Sequence, residues 1–391
     1  MQSKLPEAER RIEEARRTRA ESLDLGDLAL SELPVSLGDL PDLRILYLGK
    51  IKPNEAGELR PDHTRKSSTF KDLSPLTGLQ GLQTLDLFYC QDVTDLSPLA
   101  GLQGLQTLNL FYCQDVKDLS PLAGLKGLQS LDLSYCREVT DLSPLAGLQG
   151  LQNLDLYACR GVTDVSSLAG LQGLHTLDLS GTGVTDVTSL AGLKGLQNLD
   201  LSDTGVTDVS ALAGLQGLQH LDLSASGVTD VSPLAGLQEL QTLDLAVTDV
   251  TDVSLVAGFP GLQTLSLSFT GVTDLSPLAG LQELQTLHMA ELGVTDLSPL
   301  ARLHRLQFLH MPYCRDVTDL SPLAELQELQ SLSLLGCRPA VSAALLRVFA
   351  DYPCLIELVA DEAIEVPPEV LSQDEDDDCL PRLRAYFAEL G

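Results

Sequence analysis

Residues 82–104 read LQTLDLFYCQDVTDLSPLAGLQG, and near-copies of this stretch follow one another through most of the chain. A fixed period in this range predicts a leucine-rich-repeat solenoid, an α/β fold shaped like a horseshoe. A parallel β-sheet is expected on its concave face and short 3₁₀ or helical turns on its convex face. The copies are spaced by 23 or 22 residues and begin at Leu82, Leu105, Leu128, Leu151, Leu174, Leu196, Leu218, Leu240, Leu262, Leu284, Leu306 and Leu329.

Within one copy, leucines and polar residues alternate with the period of a β-strand. Leu85 is expected to point into the core and Asp86 to point outward. Ser97 is predicted to be the N-cap of the following turn, with Pro98 as its first helical residue. No single repeat can bury its leucines alone, so stability is expected to come from stacking of neighbours.

The cysteines indicate the cellular compartment, and the net charge indicates the class of binding partner. Six of the eight cysteines share one repeat position, which predicts a buried ladder of small apolar side chains without disulfides: Cys90, Cys113, Cys136, Cys159, Cys314 and Cys337. With no export signal or membrane-length apolar run in the sequence, a cytoplasmic location is expected. The net charge of -30 argues against binding to nucleic acid and favours a basic protein surface as partner.

The predicted domain organisation has three parts. Residues 1–20 are expected to form an N-terminal capping helix, residues 21–339 the solenoid, and residues 340–391 a C-terminal cap and helical linker. An inserted loop is predicted at about residues 50–67, because this stretch exceeds one repeat. In and beside it lie the basic residues Lys50, Lys52, Arg60, His63, Arg65, Lys66 and Lys71. This segment could fold over the concave face, bind a partner domain, or remain a solvated loop.

The repeated block Val-Thr-Asp-Leu-Ser-Pro-Leu-Ala-Gly-Leu resembles the bacterial leucine-rich repeats of internalins. The ends resemble another family. Residues 11–17 (RIEEARR) with 23–26 (LDLG) look like the start of the repeat domain of bacterial Roco proteins. Residues 366–373 (VPPEVLSQ) and 379–387 (CLPRLRAYF) are similar to the segment that joins those repeats to the Roc-COR GTPase. This resemblance implies a bacterial repeat domain that regulates, or recruits partners for, an adjacent GTPase.

One strand position is predicted to run down the centre of the concave face and to carry aspartates in most copies. It could steer a basic partner, or it could be a solvated consensus position without function. The predicted acidic residues are Asp86, Asp132, Asp155, Asp178, Asp200, Asp222 and Asp244, and the same position holds His288 and His310 further along. The histidines could bind a metal or make a pH-sensitive contact; we predict partner contact and no metal, although a stacked surface pair without function is the simpler alternative.

Aromatic residues are concentrated near the first repeats and are predicted to bind a partner from an exposed strand face. They could instead pack on one another as a result of repeat duplication. The six residues are Phe88, Tyr89, Phe111, Tyr112, Tyr135 and Tyr157. The sequence contains no nucleophile elbow, zinc-protease motif, Cys-x-x-Cys pair or P-loop, so neither an enzyme nor a cofactor is predicted. The leading hypothesis is a non-catalytic, regulatory protein–protein interaction module; the alternatives are a secreted or surface internalin-like adhesin and a stand-alone scaffold.

Overall fold

The computed structural model describes residues 4–53, 59–61, 66–317, 319–337, 341–352, 355, 357–360, 363–364, 366–372 and 377–390. The chain forms two compact units, Met1–Asp200 and Leu201–Gly391. Each unit is built from short parallel strands that follow one another in sequence order, eight in the first unit and seven in the second. Each strand is joined to the next mainly by a 3₁₀ turn. The predicted leucine-rich-repeat solenoid fold is therefore confirmed.

The strands of the first unit are β1 (Ser22–Asp24), β2 (Ile45–Tyr47), β3 (Ile51–Pro53), β4 (Leu59–Pro61), β5 (Thr84–Asp86), β6 (Thr107–Asn109), β7 (Ser130–Asp132), β8 (Asn153–Asp155), β9 (Thr176–Asp178) and β10 (Asn198–Asp200). All of them join one parallel sheet except β3 and β4, which pair with each other in antiparallel fashion.

The strands of the second unit are β11 (His220–Asp222), β12 (Thr242–Asp244), β13 (Thr264–Ser266), β14 (Thr286–His288), β15 (Phe308–His310), β16 (Ser331–Ser333), β17 (Val341–Ser342), β18 (Glu357–Val359) and β19 (Ala363–Ile364). Strands β11 to β16 and β18 are the repeat strands, whereas β17 and β19 form a separate parallel pair.

The described residues include three α-helices near the ends: α1 (Leu5–Thr18), α2 (Ala343–Ala350) and α3 (Leu380–Leu390). The 3₁₀ helices of the first unit are Gly26–Leu28, Val35–Asp39, Ser74–Gly78, Ser97–Leu99, Ser120–Leu122, Ser143–Gly147, Ser166–Gly170 and Thr188–Gly192. Those of the second unit are Ser210–Gly214, Ser232–Gly236, Ser254–Gly258, Ser276–Gly280, Ser298–Arg302, Ser321–Glu325 and Pro368–Val370.

The leucines of each repeat form the core as predicted. Leu85 and Leu87, at and just after the strand, and Leu99, on the 3₁₀ turn, are completely or almost completely buried. Equivalent residues pair in register from strand to strand, as Leu131 does with Leu154. Every copy therefore adds one layer of leucines to the core and hides the layer before it.

The start of each 3₁₀ turn differs from the prediction. Ser97 is the first helical residue and not the N-cap, and it is the Asp95 carboxylate that accepts its backbone N–H at 2.8 Å. Pro98 accordingly occupies the second helical position. The pair Asp164–Ser166 has the same geometry. The first N–H groups of a helical turn have no backbone partner within the turn. The aspartate two residues before the serine has a side chain long enough to accept one of them, so the aspartate takes the capping role predicted for the serine.

The ladder cysteines of both units are buried free thiols, as predicted. In the 23-residue repeats the thiol donates to a carbonyl of the preceding repeat, as Cys136 Sγ does to Leu110 O at 3.2 Å. In five of the six 22-residue repeats a hydroxyl replaces it and bonds within its own repeat, as Thr182 Oγ1 does to Leu179 O at 2.6 Å, whereas the sixth has Leu292 at this position. The choice of Cys or Thr thus follows the length of the turn.

The ends carry helices where helices were predicted. Helix α1 is held on β1 by Arg11, whose guanidinium donates to both carboxylate oxygens of Asp27 at 2.7 and 2.9 Å and to the Asp24 carbonyl at 2.9 Å. At the other end, Arg384 on α3 donates to the carbonyls of Ala350 and Tyr352, next to the end of α2. Part of the predicted acidic linker, residues 374–376, lies outside the described residues.

Candidate functional site

One turn geometry recurs after the repeat strands and decides which side chains are displayed. The residue at the strand end is Asp or Asn in most copies, and its side chain accepts the backbone N–H two residues on; the Asn109 to Phe111 bond is 2.8 Å long. The residue after that is left-handed, with φ between +50° and +66° in all twelve repeats. We call it the left-handed position. It holds Tyr89, Tyr112, Tyr135, Ala158, Gly181, Asp203, Ala225, Val247, Phe269, Glu291, Tyr313 and Gly336.

The six predicted aromatic residues of the first unit form one continuous stack, here called the aromatic cluster. Phe88 stacks on Phe111 with ring centroids 4.5 Å apart, and Tyr89 stacks on Tyr112 at 4.3 Å. Tyr135 meets Tyr112 at 5.4 Å and, edge-on, Tyr157 at 4.9 Å. The structure therefore brings the six residues together and packs them on one another, and their role in partner binding stays a prediction.

Two details of the aromatic prediction were wrong. The rings stand on the turns that follow the strands and not on the strands themselves, because each strand ends at its Asp or Asn. Phe88 is also not exposed: only 5% of it remains accessible, since it is stacked against Phe111. Tyr89, Tyr112 and Tyr135 are half-buried, whereas Tyr157 is 40% exposed. The surface that the aromatic cluster offers is thus mainly its tyrosines.

The insert meets the aromatic cluster at Lys50. The ammonium group of Lys50 lies 4.7 Å from the centroid of the Tyr89 ring, within the range of a cation–π interaction. Strands β3 and β4 show that part of the predicted loop is a hairpin. The side chains of Lys52 and Arg60, and residues His63 and Arg65, lie outside what the structure describes. Whether the insert covers the sheet therefore stays open as a prediction.

The predicted acidic positions line up in register within each unit. In the first unit Asp132, Asp155, Asp178 and Asp200 pair in succession, and in the second unit Asp222 pairs with Asp244. Their carboxylates stabilise the turns that follow the strands, as when Asp155 Oδ1 accepts the backbone N–H of Tyr157 at 2.9 Å. This is a structural role. A second role in partner binding stays a prediction.

Apart from Asp86, three carboxylates of the acidic row are buried enough to have a raised pKa. Burial raises the pKa of Asp132 and of Asp178 to about 6, with hydrogen bonds to Ser134 and Ser180 opposing the effect. In the second unit burial likewise raises the pKa of Asp244. Repulsion between neighbouring carboxylates adds less than burial does. The expectation of a solvated charge stripe therefore needs correction, because these carboxylates are partly withdrawn from water.

Asp86 departs furthest from that expectation. It is only 1% exposed, and its Oδ2 has no hydrogen-bond partner among the described residues. Its Oδ1 accepts the Phe88 N–H at 3.4 Å. Burial raises the pKa of Asp86 to about 7, against hydrogen bonds from the backbone of Phe88 and Gly49. Tyr47, the neighbour of Asp86 on β2, has its pKa raised by burial and then by Asp86 and Asp24. Asp86 cannot act as an exposed partner contact.

His288 and His310 do lie side by side in the second unit. They pair in register on β14 and β15, and their ring centroids are 5.8 Å apart. Burial lowers the pKa of His288, and the nearby Asp244 opposes this. The nearby ladder residue Cys314 is buried and its thiol donates to Met289 O at 3.0 Å. Within the described ranges, no group of three or more His, Cys, Asp or Glu side chains is placed to hold a metal ion.

Three exposed apolar side chains on or beside the repeat strands of the second unit were not predicted from the sequence. Val247 and Phe269 occupy left-handed positions of adjacent repeats and are 56% and 52% exposed. Phe308, at the start of β15, is 39% exposed and lies next to the row that holds the two histidines. The signal was available, because aligning the copies puts Val247 and Phe269 in the same column as Tyr89 and Tyr112.

Comparison with known proteins supports the fold. Residues 106–204 match the family described as the leucine-rich-repeat domain of the endo-β-N-acetylglucosaminidase EndoS, and residues 194–236 match a family of two-copy leucine-rich repeats. No curated protein sequence matches the chain.

Solved structures give a similar picture. An internalin from Listeria monocytogenes is 25% identical over 77% of this chain and 85% of its own, with a TM-score of 0.66. A leucine-rich-repeat protein of Leptospira interrogans is 21% identical over 83% and 93%, with a TM-score of 0.63. The ectodomain of the Arabidopsis thaliana receptor kinase GASSHO1/SCHENGEN3, solved with Casparian strip integrity factor 2, is 20% identical over 88% and 44%, with a TM-score of 0.63.

The chain is therefore a leucine-rich-repeat domain, a class of protein that mediates protein–protein interaction. Its structural neighbours include proteins of the internalin type and a receptor that was solved with its ligand. The two matching families are repeat families, and neither indicates a catalytic domain. In the parts of the chain that are described, no helix is long and apolar enough to cross a membrane.

Proposed function

We propose that the chain is a non-catalytic recognition module that binds a protein partner through the tyrosines of the aromatic cluster. The observation that carries this proposal is the stack itself. Tyr112, Tyr135 and Tyr157 hold one another in place through ring contacts, while Tyr157 remains 40% exposed. Preordered aromatic side chains lose little conformational entropy on binding, and they dominate binding hot spots.

Charge supports a basic partner surface. The chain carries a net charge of -30, and Asp132 and Asp155 lie on strands that lead into the aromatic cluster, with Asp178 paired to Asp155 on the next strand. A cationic surface approaching the tyrosines would be attracted over long range and would gain cation–π contacts at the rings. The acidic row then contributes mainly to the association rate, which makes binding dependent on salt.

The first test identifies the partner by photo-cross-linking in the native cell. In one strain a photoreactive benzophenone amino acid replaces Tyr157. In a matched control strain it replaces Gln149, an exposed residue beside the 3₁₀ turn Ser143–Gly147. We expect a discrete cross-linked protein from position 157 and none from position 149. Equal adducts from both positions, or none from position 157, would contradict the proposal.

The affinity of the identified partner is then measured by calorimetry for the triple variant Tyr112→Ser, Tyr135→Ser, Tyr157→Ser. We expect at least tenfold weaker binding, because each hot-spot aromatic contributes about 2 kcal/mol or more. Circular dichroism serves as the folding control. An unchanged affinity in a folded variant would remove the aromatic cluster from the binding surface.

We also propose the cytoplasm as the compartment and regulation of an adjacent Roc-COR GTPase as the finer role. The free thiols at the described cysteines support a reducing compartment. The GTPase role is supported by the resemblance of the chain's short end segments. It is tested by sequencing the gene beyond the codon for Gly391, where a reading frame with a Gly-x-x-x-x-Gly-Lys-Ser/Thr loop is expected.

A second candidate function is that of an internalin-like surface adhesin. The similarity to the Listeria internalin, at 25% identity, favours it. Cell fractionation separates the two candidates. Protein found on the outer surface of intact cells would support the adhesin, whereas protein found only in the cytoplasmic fraction would support the regulatory module.

A further inference from the structure

A second candidate surface lies within the second unit, along four successive left-handed positions. These hold Val247, Phe269, Glu291 and Tyr313. The backbone N–H of Val247 donates to Ser268 O at 2.8 Å, and that of Phe269 donates to Ala290 O at 2.8 Å, so the row keeps the spacing of the sheet. Neighbouring positions are thus about 4.8 Å apart. Val247 and Phe269 are both more than half exposed and adjacent, which makes a small apolar surface.

Local stability does not account for these residues. Val247 has φ +58° and Phe269 has φ +60°, a conformation that is natural for glycine and unfavourable for bulky side chains and for those branched at Cβ. Gly181 and Gly336 fill the same position in two other repeats. An exposed valine in a strained conformation has little burial to offset the strain. The left-handed conformation itself recurs in every repeat, so what distinguishes these two positions is that they carry large apolar side chains that remain exposed.

Acidic groups flank one end of the apolar pair. Glu291 and Asp316 line an open cavity of about 250 Å³ together with Tyr313 and Arg315. The Arg315 guanidinium lies over the Tyr313 ring, 5.8 Å from its centroid, and offsets one of the two carboxylates. The cavity therefore keeps a net negative charge, in a chain that is strongly acidic overall. A cationic side chain fits such a cavity.

We propose that Val247, Phe269 and the cavity between Glu291 and Asp316 form a docking site for an extended segment of a protein partner. That segment carries an apolar side chain followed two residues later by lysine or arginine. The spacing follows from the geometry. The centre of the apolar pair lies one and a half strand spacings, about 7 Å, from Glu291, and alternate residues of an extended chain lie about 6.6 Å apart on the same side.

The test is selection from a random nonapeptide library displayed on phage, with the full chain as bait. We expect enriched peptides to share an apolar residue with Lys or Arg two positions on. Synthetic copies of these peptides are expected to bind at least tenfold more weakly to Val247→Gly/Phe269→Gly and to Glu291→Gln. Moving the basic residue to the adjacent position in the peptide is expected to reduce binding to a similar extent.

Two controls keep the result interpretable. Val247→Gly and Phe269→Gly relieve the left-handed strain, so the unfolding midpoint is expected to stay the same or rise, and lost binding then cannot reflect misfolding. The triple tyrosine variant of the aromatic cluster is expected to bind these peptides normally, which separates this proposal from the function proposed above. The docking site is refuted if no such pattern is enriched or if the enriched peptides bind the glycine variants as tightly as the parent chain.

Discussion

Replacing Gly49 by alanine is expected to lower the free energy of unfolding of the first unit by about 3 kcal/mol, the upper part of the range for overpacking. A Cβ at this position would lie 2.5 Å from the Phe88 carbonyl oxygen and from Asp86 Oδ1, and closer still to Phe88 N. The segment that carries these atoms cannot easily move away from Gly49, because hydrogen bonds on both sides of Gly49 hold it in place. The flanking residues Leu48 and Lys50 both donate backbone hydrogen bonds to the same neighbouring segment, at 2.9 and 3.0 Å.

The measurement is urea unfolding combined with amide hydrogen exchange, because repeat proteins can open locally. Exchange is expected to quicken at the amides of Leu48 and Lys50, whose hydrogen bonds the new methyl group would break. Gly280→Ala is the matched control, since a Cβ at Gly280 meets nothing within 4 Å. It should be neutral or stabilising by about 0.4–1 kcal/mol. Equal stability of the two variants would contradict the close approach seen at Gly49.

Replacing Asp86 by asparagine is expected to remove a pH-dependent loss of stability. Burial raises the pKa of Asp86 from 3.8 to about 7, so the charged form is penalised in the folded chain and not in the unfolded one. Below about pH 4 both states are protonated and no penalty exists. As the pH rises through about 7 the penalty becomes complete. A tenfold change in proton affinity corresponds to about 1.4 kcal/mol, so the penalty is at most about 4 kcal/mol.

The expected result is a gap in unfolding free energy between the Asp86→Asn variant and the parent that widens from pH 4 to pH 8 by about 2–4 kcal/mol. Asn109 shows that the amide suits this turn, because its Oδ1 accepts the Phe111 N–H at 2.8 Å. Asp155→Asn, at a half-exposed strand end, controls for the change of side chain itself and is expected to alter the free energy of unfolding by under about 1 kcal/mol at pH 7. A gap for Asp86→Asn that does not change with pH would mean that the Asp86 carboxyl is not shielded from water.

These two predictions share one place, where the insert leaves the sheet. Asp86 has the same neighbours in the sequence as the other strand-end aspartates, and its copy of the repeat gave no reason to separate it from them. Its burial depends on Phe88 of its own repeat and on Gly49 of the preceding one. Among the described residues, the lack of a partner for Asp86 Oδ2 is therefore a property of the packing between repeats.

The candidate site was only partly predictable. Aligned copies brought the six aromatic residues together, and the rings do form one stack. Their exposure could not be predicted, since it depends on which ring covers which: Phe88 is covered by Phe111, whereas Tyr157 stays 40% exposed. The left-handed backbone that displays Val247 and Phe269 was not anticipated, because valine and phenylalanine do not indicate a positive φ.

The sequence by itself determined the repeat, the parallel strand order, the leucine core and the buried free cysteines. These follow from a fixed period and from side chains that each copy presents in the same way, so local rules are enough. The tertiary structure alone decided which carboxylates lose contact with water and which apolar side chains remain exposed. Those outcomes depend on distances between atoms of different repeats. The period of the sequence predicts that the repeats stack, but it does not predict these distances.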